Sequence, residues 1–219
     1  ATTLAIESEW APLMAGAFFP EKQIDAAEPL RRARWIKTER EIELLRTASK
    51  LADIGHTTLD RLCDEAGQNE IAMWCEISNQ IFMEAGREIP LTGELVTGPR
   101  ATVVLYPNGP RNRVTEAGDA ALMDLSGRFQ GYWFDCTNTH IIAGWPSAEE
   151  KRYANASQDA CEAAMAALKP GAKASDAAAA AEAAFAKHGL PMAHYAGHQI
   201  GVSVNELPRL VPYDQSIIE

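Results

Sequence analysis

Two carboxylates, Asp124 and Asp135, lie eleven residues apart in Asp124-Leu-Ser-Gly-Arg-Phe-Gln-Gly-Tyr-Trp-Phe-Asp135. The segment reads as two apolar strands joined by a tight turn, with Gly127 and Gly131 supplying permissive backbone beside it. The spacing predicts a turn centred between Phe129 and Gln130, which would set the two aspartates directly opposite each other. Side chains opposed across an antiparallel pair sit about 5 Å apart. Two bare carboxylates at that distance repel, and either one holds a proton or a cation bridges them. Two-metal hydrolytic sites use such paired carboxylates as ligands. Alternation adds Leu122 to the face of Asp124, and Thr137, Thr139 and Ile141 to the face of Asp135. That mixture resembles a lined pocket, whereas a solvated edge would carry Lys or Glu.

A second chemical segment follows downstream, His194-Tyr-Ala-Gly197-His198-Gln-Ile-Gly201-Val-Ser-Val-Asn205-Glu206-Leu-Pro208. Gly197 and Gly201 flank His198, so the backbone there can pass close to another group. The same glycines argue against a helix that would present both histidines on one face. The segment therefore offers one imidazole ligand, His198, and a second histidine with a different task.

Together these residues resemble the pita-bread metallohydrolases, the group of methionine aminopeptidase, Xaa-Pro aminopeptidase, prolidase and creatinase. The motifs are Asp124 and Asp135 with Gly131-Tyr132 between them, the Asp-Cys-Thr-Asn-Thr run, and Gly197-His198-Gln-Ile-Gly201 followed by Asn205-Glu206-Leu-Pro208. The likeness spans roughly Arg34 to Glu219, and the Asn-Glu-x-Pro-Arg-Leu-Val-Pro stretch is most similar to bacterial Xaa-Pro peptidases. It implies an α+β pita-bread fold, a curved antiparallel sheet with helices packed on one face. It also implies a metal-dependent hydrolase of a C–N bond, Xaa-Pro aminopeptidase- or dipeptidase-like. Asp124, Asp135 and His198 would hold two divalent metal ions (Mn, Co, Zn or Fe). His194 would lie near the substrate carbonyl and stabilise the oxyanion, unless it is a structural histidine bonding a loop carbonyl. The implied assembly is a homodimer.

This chain also departs from the pattern. Asn205 stands where the family usually has a histidine, and Tyr106-Pro107 where another substrate-contacting histidine is expected; both Tyr106 and Asn205 are thus substrate-binding candidates. Asn138 replaces the usual Arg between the two threonines. The family's two glutamate ligands would lie beyond Glu219, so the chain reads as truncated at its C-terminus, and Glu219 resembles the lead-in to that segment. These differences leave two alternatives, a creatinase-like hydrolase of a small nitrogenous metabolite and a non-catalytic binding module on the same fold.

Several elements must position these residues. Thr38-Glu-Arg-Glu41 reads as a capping box opening a helix with Ile42, Leu45, Ala48, Ala52 and Leu59 on its core stripe. Asn69 can cap a second helix that Gly86 stops. Ser147-Ala-Glu-Glu150 is another capping box, and Ser175 is expected to cap an alanine-rich helix closing at Gly189. Strands are expected near 101–106, 120–125, 132–143 and 200–204, and Pro110 and Arg111 read as turn formers. Residues 1–33 read as the tail of a preceding α/β domain with its linker, and 34–219 as an incomplete catalytic domain. Tyr132 and Trp133 read as hairpin packing.

Composition sets outer bounds. Hydrophobic residues make up 47% of 219, with no apolar run long enough to span a membrane. The net charge of −10 disfavours nucleic acid and anionic membranes as partners; the family resemblance implies a small peptide or amide substrate. The start of the chain has no basic region of the secretory kind, and Cys63, Cys75, Cys136 and Cys161 lack paired spacing. They read as buried thiols, and the compartment as the cytoplasm.

Overall fold

The structure, a computed structural model, describes residues 3–7, 22–102 and 109–219. The chain divides into two compact units, Ala1–Glu39 and Arg40–Glu219. In the first, β1 (Thr3–Ile6) pairs in parallel with β2 (Lys22–Asp25). Helix α1 (Ala27–Trp35) follows. Pro29 sits in the first turn, where its missing N–H donor costs nothing. Asp25 Oδ1 accepts from the Ala27 N–H at 2.9 Å and starts the helix.

The second unit is built on α2 (Glu39–Leu62) and α3 (Glu70–Ala85) against a sheet of order β3-β4-β5. Asn69 Oδ1 accepts from the Ile71 and Ala72 N–H groups, and Gly86 closes α3 in the left-handed conformation at φ +67°. The strands are β3 (Leu91–Thr97), β4 (Ala120–Phe129) and β5 (Tyr132–Ile141), all antiparallel. β3 was not expected, because Gly93 breaks its apolar pattern. The glycine is needed there: a Cβ at position 93 would lie 2.1 Å from the Trp74 ring.

Alternation then sorts the sheet into two faces. Leu95, Ala121, Met123, Leu125 and Phe134 are buried against Ala48, Leu51, Ala52 and Leu59 of α2 and Met73, Ile77 and Ile81 of α3. Each buried aliphatic side chain contributes about 1.5–3 kcal/mol over its exposed state. That packing commits the helices to one face and leaves Leu122, Asp124, Ser126, Asp135 and Thr137 on the other.

Of the remaining expectations, residues 101 and 102 belong to a 3-10 helix, Gly98–Thr102, while 103–106 lie outside the described residues. Residues 200–204 form no strand; β6 (His198–Gln199) and β7 (Glu206–Arg209) flank them as an antiparallel pair. Helix α4 (Ala148–Ala167) opens with the expected Ser147–Glu150 capping box. Helix α5 (Ala174–Lys187) starts one residue before Ser175, because Asp176 Oδ2 accepts from the Lys173 N–H at 2.9 Å and fixes the first turn there. The two helices meet along Ala160, Ala164, Ala177, Ala181 and Ala184, with Met192, Ala196 and Leu210 packed on the same cluster. Only Cys63 among the four cysteines is buried; Cys75, Cys136 and Cys161 are exposed, against expectation. Burial pushes the Cys63 thiol up to about 12. No helix among the described residues is long and apolar enough to cross a membrane.

One buried ionic hub organises the approach to β4. Glu70, fully buried, accepts from Thr97 N–H at 2.9 Å, Thr97 Oγ1 at 2.6 Å, Arg111 N–H at 2.9 Å and the Arg100 guanidinium. Burial alone would raise its carboxyl; the donors from Thr97, Arg111 and Arg100 outweigh that and hold it below the usual range. Arg113 joins Thr97 Oγ1 to Asp119, both at 2.6 Å.

Candidate metal centre

The hairpin that carries the two aspartates closes through Gln130 and Gly131, both at positive φ (50° and 95°), with Phe129 paired to Tyr132. The turn centre thus lies one residue later than the spacing predicts. Asp124 is opposite Thr137, and Asp135 opposite Ser126. The expectation of directly opposed aspartates is corrected: they meet on a diagonal. Gly127 belongs to the strand, paired with Leu91 and Phe134, and a Cβ there would lie 2.4 Å from the Phe134 ring.

The diagonal still brings the acids together, since both belong to the uncovered face. The two carboxylates share that face on neighbouring strands, close enough for Asp135 to raise the Asp124 carboxyl. Burial, chiefly, and the neighbouring Asp135 raise the Asp124 carboxyl, while Thr137 and His194 pull it back. Thr137 Oγ1 donates to Asp124 Oδ1 at 2.8 Å, and Ser126 Oγ to Asp135 Oδ1 at 2.9 Å. Ser126 escaped the sequence reading, although its place two residues after Asp124 puts it on the same face.

His198 arrives from β6. The Trp133 N–H donates to the Gly201 carbonyl at 2.8 Å, which fastens this loop to β5. A Cβ at Gly201 would lie 2.6 Å from the Glu206 carboxylate, so the glycine leaves that carboxylate room. His198 Nε2 lies 3.2 Å from Asp135 Oδ2, and Nδ1 is 3.0 Å from the Gln199 carbonyl. The hydrogen bond to Asp135, first, and the one to Gln199 raise the imidazole above its ordinary value, against burial and the charge of Arg209.

These contacts test whether the residues suit a metal. With Nδ1–H given to a backbone carbonyl, the neutral ring carries its lone pair on Nε2, the atom aimed at the carboxylates. That tautomer and that outer bond are what an imidazole ligand needs. The two crowded, half-buried carboxylates supply hard oxygen donors whose mutual repulsion a cation would relieve. The donor set therefore fits a hard to borderline divalent ion. The three groups form a chain, Asp124 to Asp135 to His198; among the described residues no three His, Cys, Asp or Glu side chains converge on one ion position.

The other expected site residues divide. His194 is exposed, with Nδ1 at 3.2 Å from the Tyr195 carbonyl, yet it lies near enough for its charge to act on Asp124. Asn205 sits between β6 and β7, and its Oδ1 accepts from Arg209 Nε at 3.0 Å. Tyr106 and Pro107 lie outside the described residues. Cys136 points to the opposite sheet face from Asp135, as alternation requires. Tyr132 donates to Glu41 Oε1 at 3.0 Å, and Trp133 lies under the Arg128 guanidinium, a packing role for both. Arg111 enters the structure through its backbone N–H, which donates to Glu70.

Comparison with known proteins identifies the family. The signature of metallopeptidase family M24 matches residues 43–219. The chain is 31% identical over 189 residues to a probable dipeptidase PepE of Mycobacterium tuberculosis, covering 85% of this chain and 49% of that protein. It is 26% identical over 200 residues to an Xaa-Pro dipeptidase of Pyrococcus horikoshii, covering 90% and 55% respectively. It spans about half the length of these curated relatives. Among solved structures, the prolidase from Pyrococcus furiosus superposes with a TM-score of 0.88 at 23% identity, over 99% of this chain and 65% of that one. The dipeptidase PepE from Mycobacterium ulcerans superposes with a TM-score of 0.87 at 26% identity, over 99% and 59%. The fold is that of these proteins, an α+β pita-bread architecture with helices on one sheet face, and the chain belongs to metallopeptidase family M24.

Proposed function

We propose that residues 34–219 carry the metal-binding part of a hydrolase that cleaves short peptides at Xaa-Pro bonds, and that residues 1–33 are the tail of a preceding α/β domain. The observation that carries this reading is that His198 Nε2 reaches Asp135 Oδ2 at 3.2 Å on the sheet face that also holds Asp124 and that the helices leave open. The relatives named dipeptidase and Xaa-Pro dipeptidase support the substrate class.

Asp124, Asp135 and His198 are the groups that would hold two divalent ions, with Mn, Co, Zn and Fe all matching their donor chemistry. When bound, such ions would supply Lewis acidity and a water acidic enough to attack near neutral pH. The protein's own groups do the rest. Thr137 and Ser126 each occupy one carboxylate oxygen, so the remaining oxygens are turned to the shared space. The Gln199 carbonyl, 3.0 Å from Nδ1, would hold the His198 ring in the tautomer a ligand needs. His194, close to Asp124, would donate to the oxyanion that develops at the scissile carbonyl, an interaction worth about 3–4 kcal/mol in comparable sites. Asn205 and Tyr106 would contact the substrate. The working form, by the same family likeness, is a cytoplasmic homodimer.

The test is to express the protein with whatever its gene encodes on either side of residues 1–219, load it with Mn or Co, and assay Xaa-Pro dipeptides. Metal-dependent release of proline that chelation abolishes is the expected result. Stoichiometric metal uptake with no dipeptide turnover would move the reading to another C–N bond.

A further inference from the structure

Two imidazoles that the carboxylate site does not use lie on the helix-packed side of the sheet. His56 stands on α2 and His140 on β5. Alternation puts His140 on the same side as Phe134 and Cys136, the side that α2 covers. Asp60 follows His56 by one turn on the same flank of α2. It reaches the His140 ring, with Oδ1 at 3.0 Å from Nδ1. His56 is only 8% exposed, and its Nε2 donates to the Cys136 carbonyl at 3.0 Å. Burial, chiefly, holds this imidazole below its ordinary value, and the nearby charge of His140 pushes it the same way.

Each ring keeps one nitrogen in reserve. With Nε2–H given to Cys136, neutral His56 carries its lone pair on Nδ1. With Nδ1–H given to Asp60, neutral His140 carries its lone pair on Nε2. Both of these nitrogens are buried, and neither has a hydrogen-bond partner among the described residues. A buried polar atom left unsatisfied costs about 1–3 kcal/mol. Two of them on neighbouring rings call for an occupant that accepts both lone pairs.

A water could donate to each nitrogen, and a cation could bind both. The outer bonds favour the cation. A ligating imidazole gives its far N–H to a carboxylate or a backbone carbonyl, which fixes its tautomer and turns its lone pair to the ion. His140 does this through Asp60, and His56 through Cys136. Imidazole nitrogens suit zinc, nickel or copper, whereas manganese and magnesium prefer oxygen.

We propose that His56 Nδ1 and His140 Nε2 bind one zinc-class divalent ion, its shell completed by water, which pins α2 to β5. This site is separate from Asp124, Asp135 and His198 and does not depend on the peptidase reading. Its ion would be structural, holding the strand that carries Asp135 from behind.

The experiment starts from Asp135→Asn, which disables the carboxylate site, and follows uptake of Zn²⁺ and of Mn²⁺ by calorimetry and by melting temperature. Uptake of one Zn²⁺ and no Mn²⁺ is the expected result, with a rise in melting temperature. Adding His56→Gln or His140→Gln should abolish both the uptake and the rise. The first of these keeps a donor for the Cys136 carbonyl. Asp60→Asn leaves both rings in place and should weaken zinc binding about 10- to 100-fold, as loss of an outer partner does. That graded loss decides the matter should either histidine variant fail to fold. Zinc uptake that survives both histidine substitutions overturns the proposal. So does protein that takes up no zinc, which leaves a bridging water as the occupant. Neither failure touches the peptidase reading, whose own test is metal-dependent turnover of a dipeptide.

Discussion

His198 Nε2 approaches Asp135 Oδ2 at 3.2 Å, so a loop imidazole closes on a strand carboxylate that already holds the Ser126 hydroxyl. Asp135 stands between the other two candidate ligands, in contact with His198 and on the sheet face of Asp124. Asp135→Asn keeps the shape and removes the charge. It should fold as the wild type does, by circular dichroism. It should lose the metal-induced rise in melting temperature, which for a ligand at 100 times its Kd corresponds to about 2.7 kcal/mol. Full turnover in this variant would refute the site.

Asp124 makes the opposite prediction in the absence of metal. Its carboxyl is raised mainly by burial and further by Asp135, so ionising it at neutral pH costs the metal-free fold. The sign follows: a raised acid favours the native state at low pH and penalises it once pH climbs past the raised value. Asp124→Asn retains the oxygen that accepts from Thr137. In metal-free protein at pH 7 it should melt higher, by roughly 2–4 °C for each kcal/mol relieved. Added Mn or Co should then stabilise the wild type and leave the variant where it was.

Glu70 should dominate stability far from the site. Glu70→Leu would strip the acceptor from Thr97, Arg100 and Arg111 and should cost about 3–5 kcal/mol. Glu70→Gln keeps part of the bonding and should cost less. Because the folded carboxyl is depressed, its contribution is present above the unfolded value near 4.5 and is lost as pH falls through the folded one. Urea midpoints measured from pH 7 down to 3 should therefore drop more steeply in wild type than in Glu70→Gln.

Behind the acids, His56 on α2 donates from Nε2 to the Cys136 carbonyl at 3.0 Å, between Asp135 and Thr137 on β5. The ring is buried, and burial holds it below its ordinary value despite that bond. His56→Leu should cost about 1–3 kcal/mol through the lost donor. Gln, whose amide nitrogen reaches a similar point, should restore most of it. Thermal melts of the two variants decide; equal losses would mean that packing, and not the hydrogen bond, is what His56 supplies.

Local signals carried much of this architecture. The caps at Asn69 and Ser147, the stripe through Ala48, Ala52 and Leu59, and the alternation around Asp124 each follow from near neighbours in the chain. What escaped was set by partners distant in sequence. β3 contains a glycine because Trp74 lies across it, and no pattern within residues 91–97 announces that ring. The hairpin register turned on whether Gln130 would accept a positive φ, a choice that moved the facing pairs and left the faces unchanged.

The alanine seam between α4 and α5 has a mechanical consequence. Met192, Ala196 and Leu210 rest on it, so the stretch bearing His194 and His198 is gauged from a surface made almost entirely of single methyl groups. Such a surface has no rotamers to readjust, and thickening it by one branched side chain would be transmitted to the imidazoles as a rigid offset. Drift in this part of the sequence should accordingly be read at the two imidazoles before it shows as unfolding.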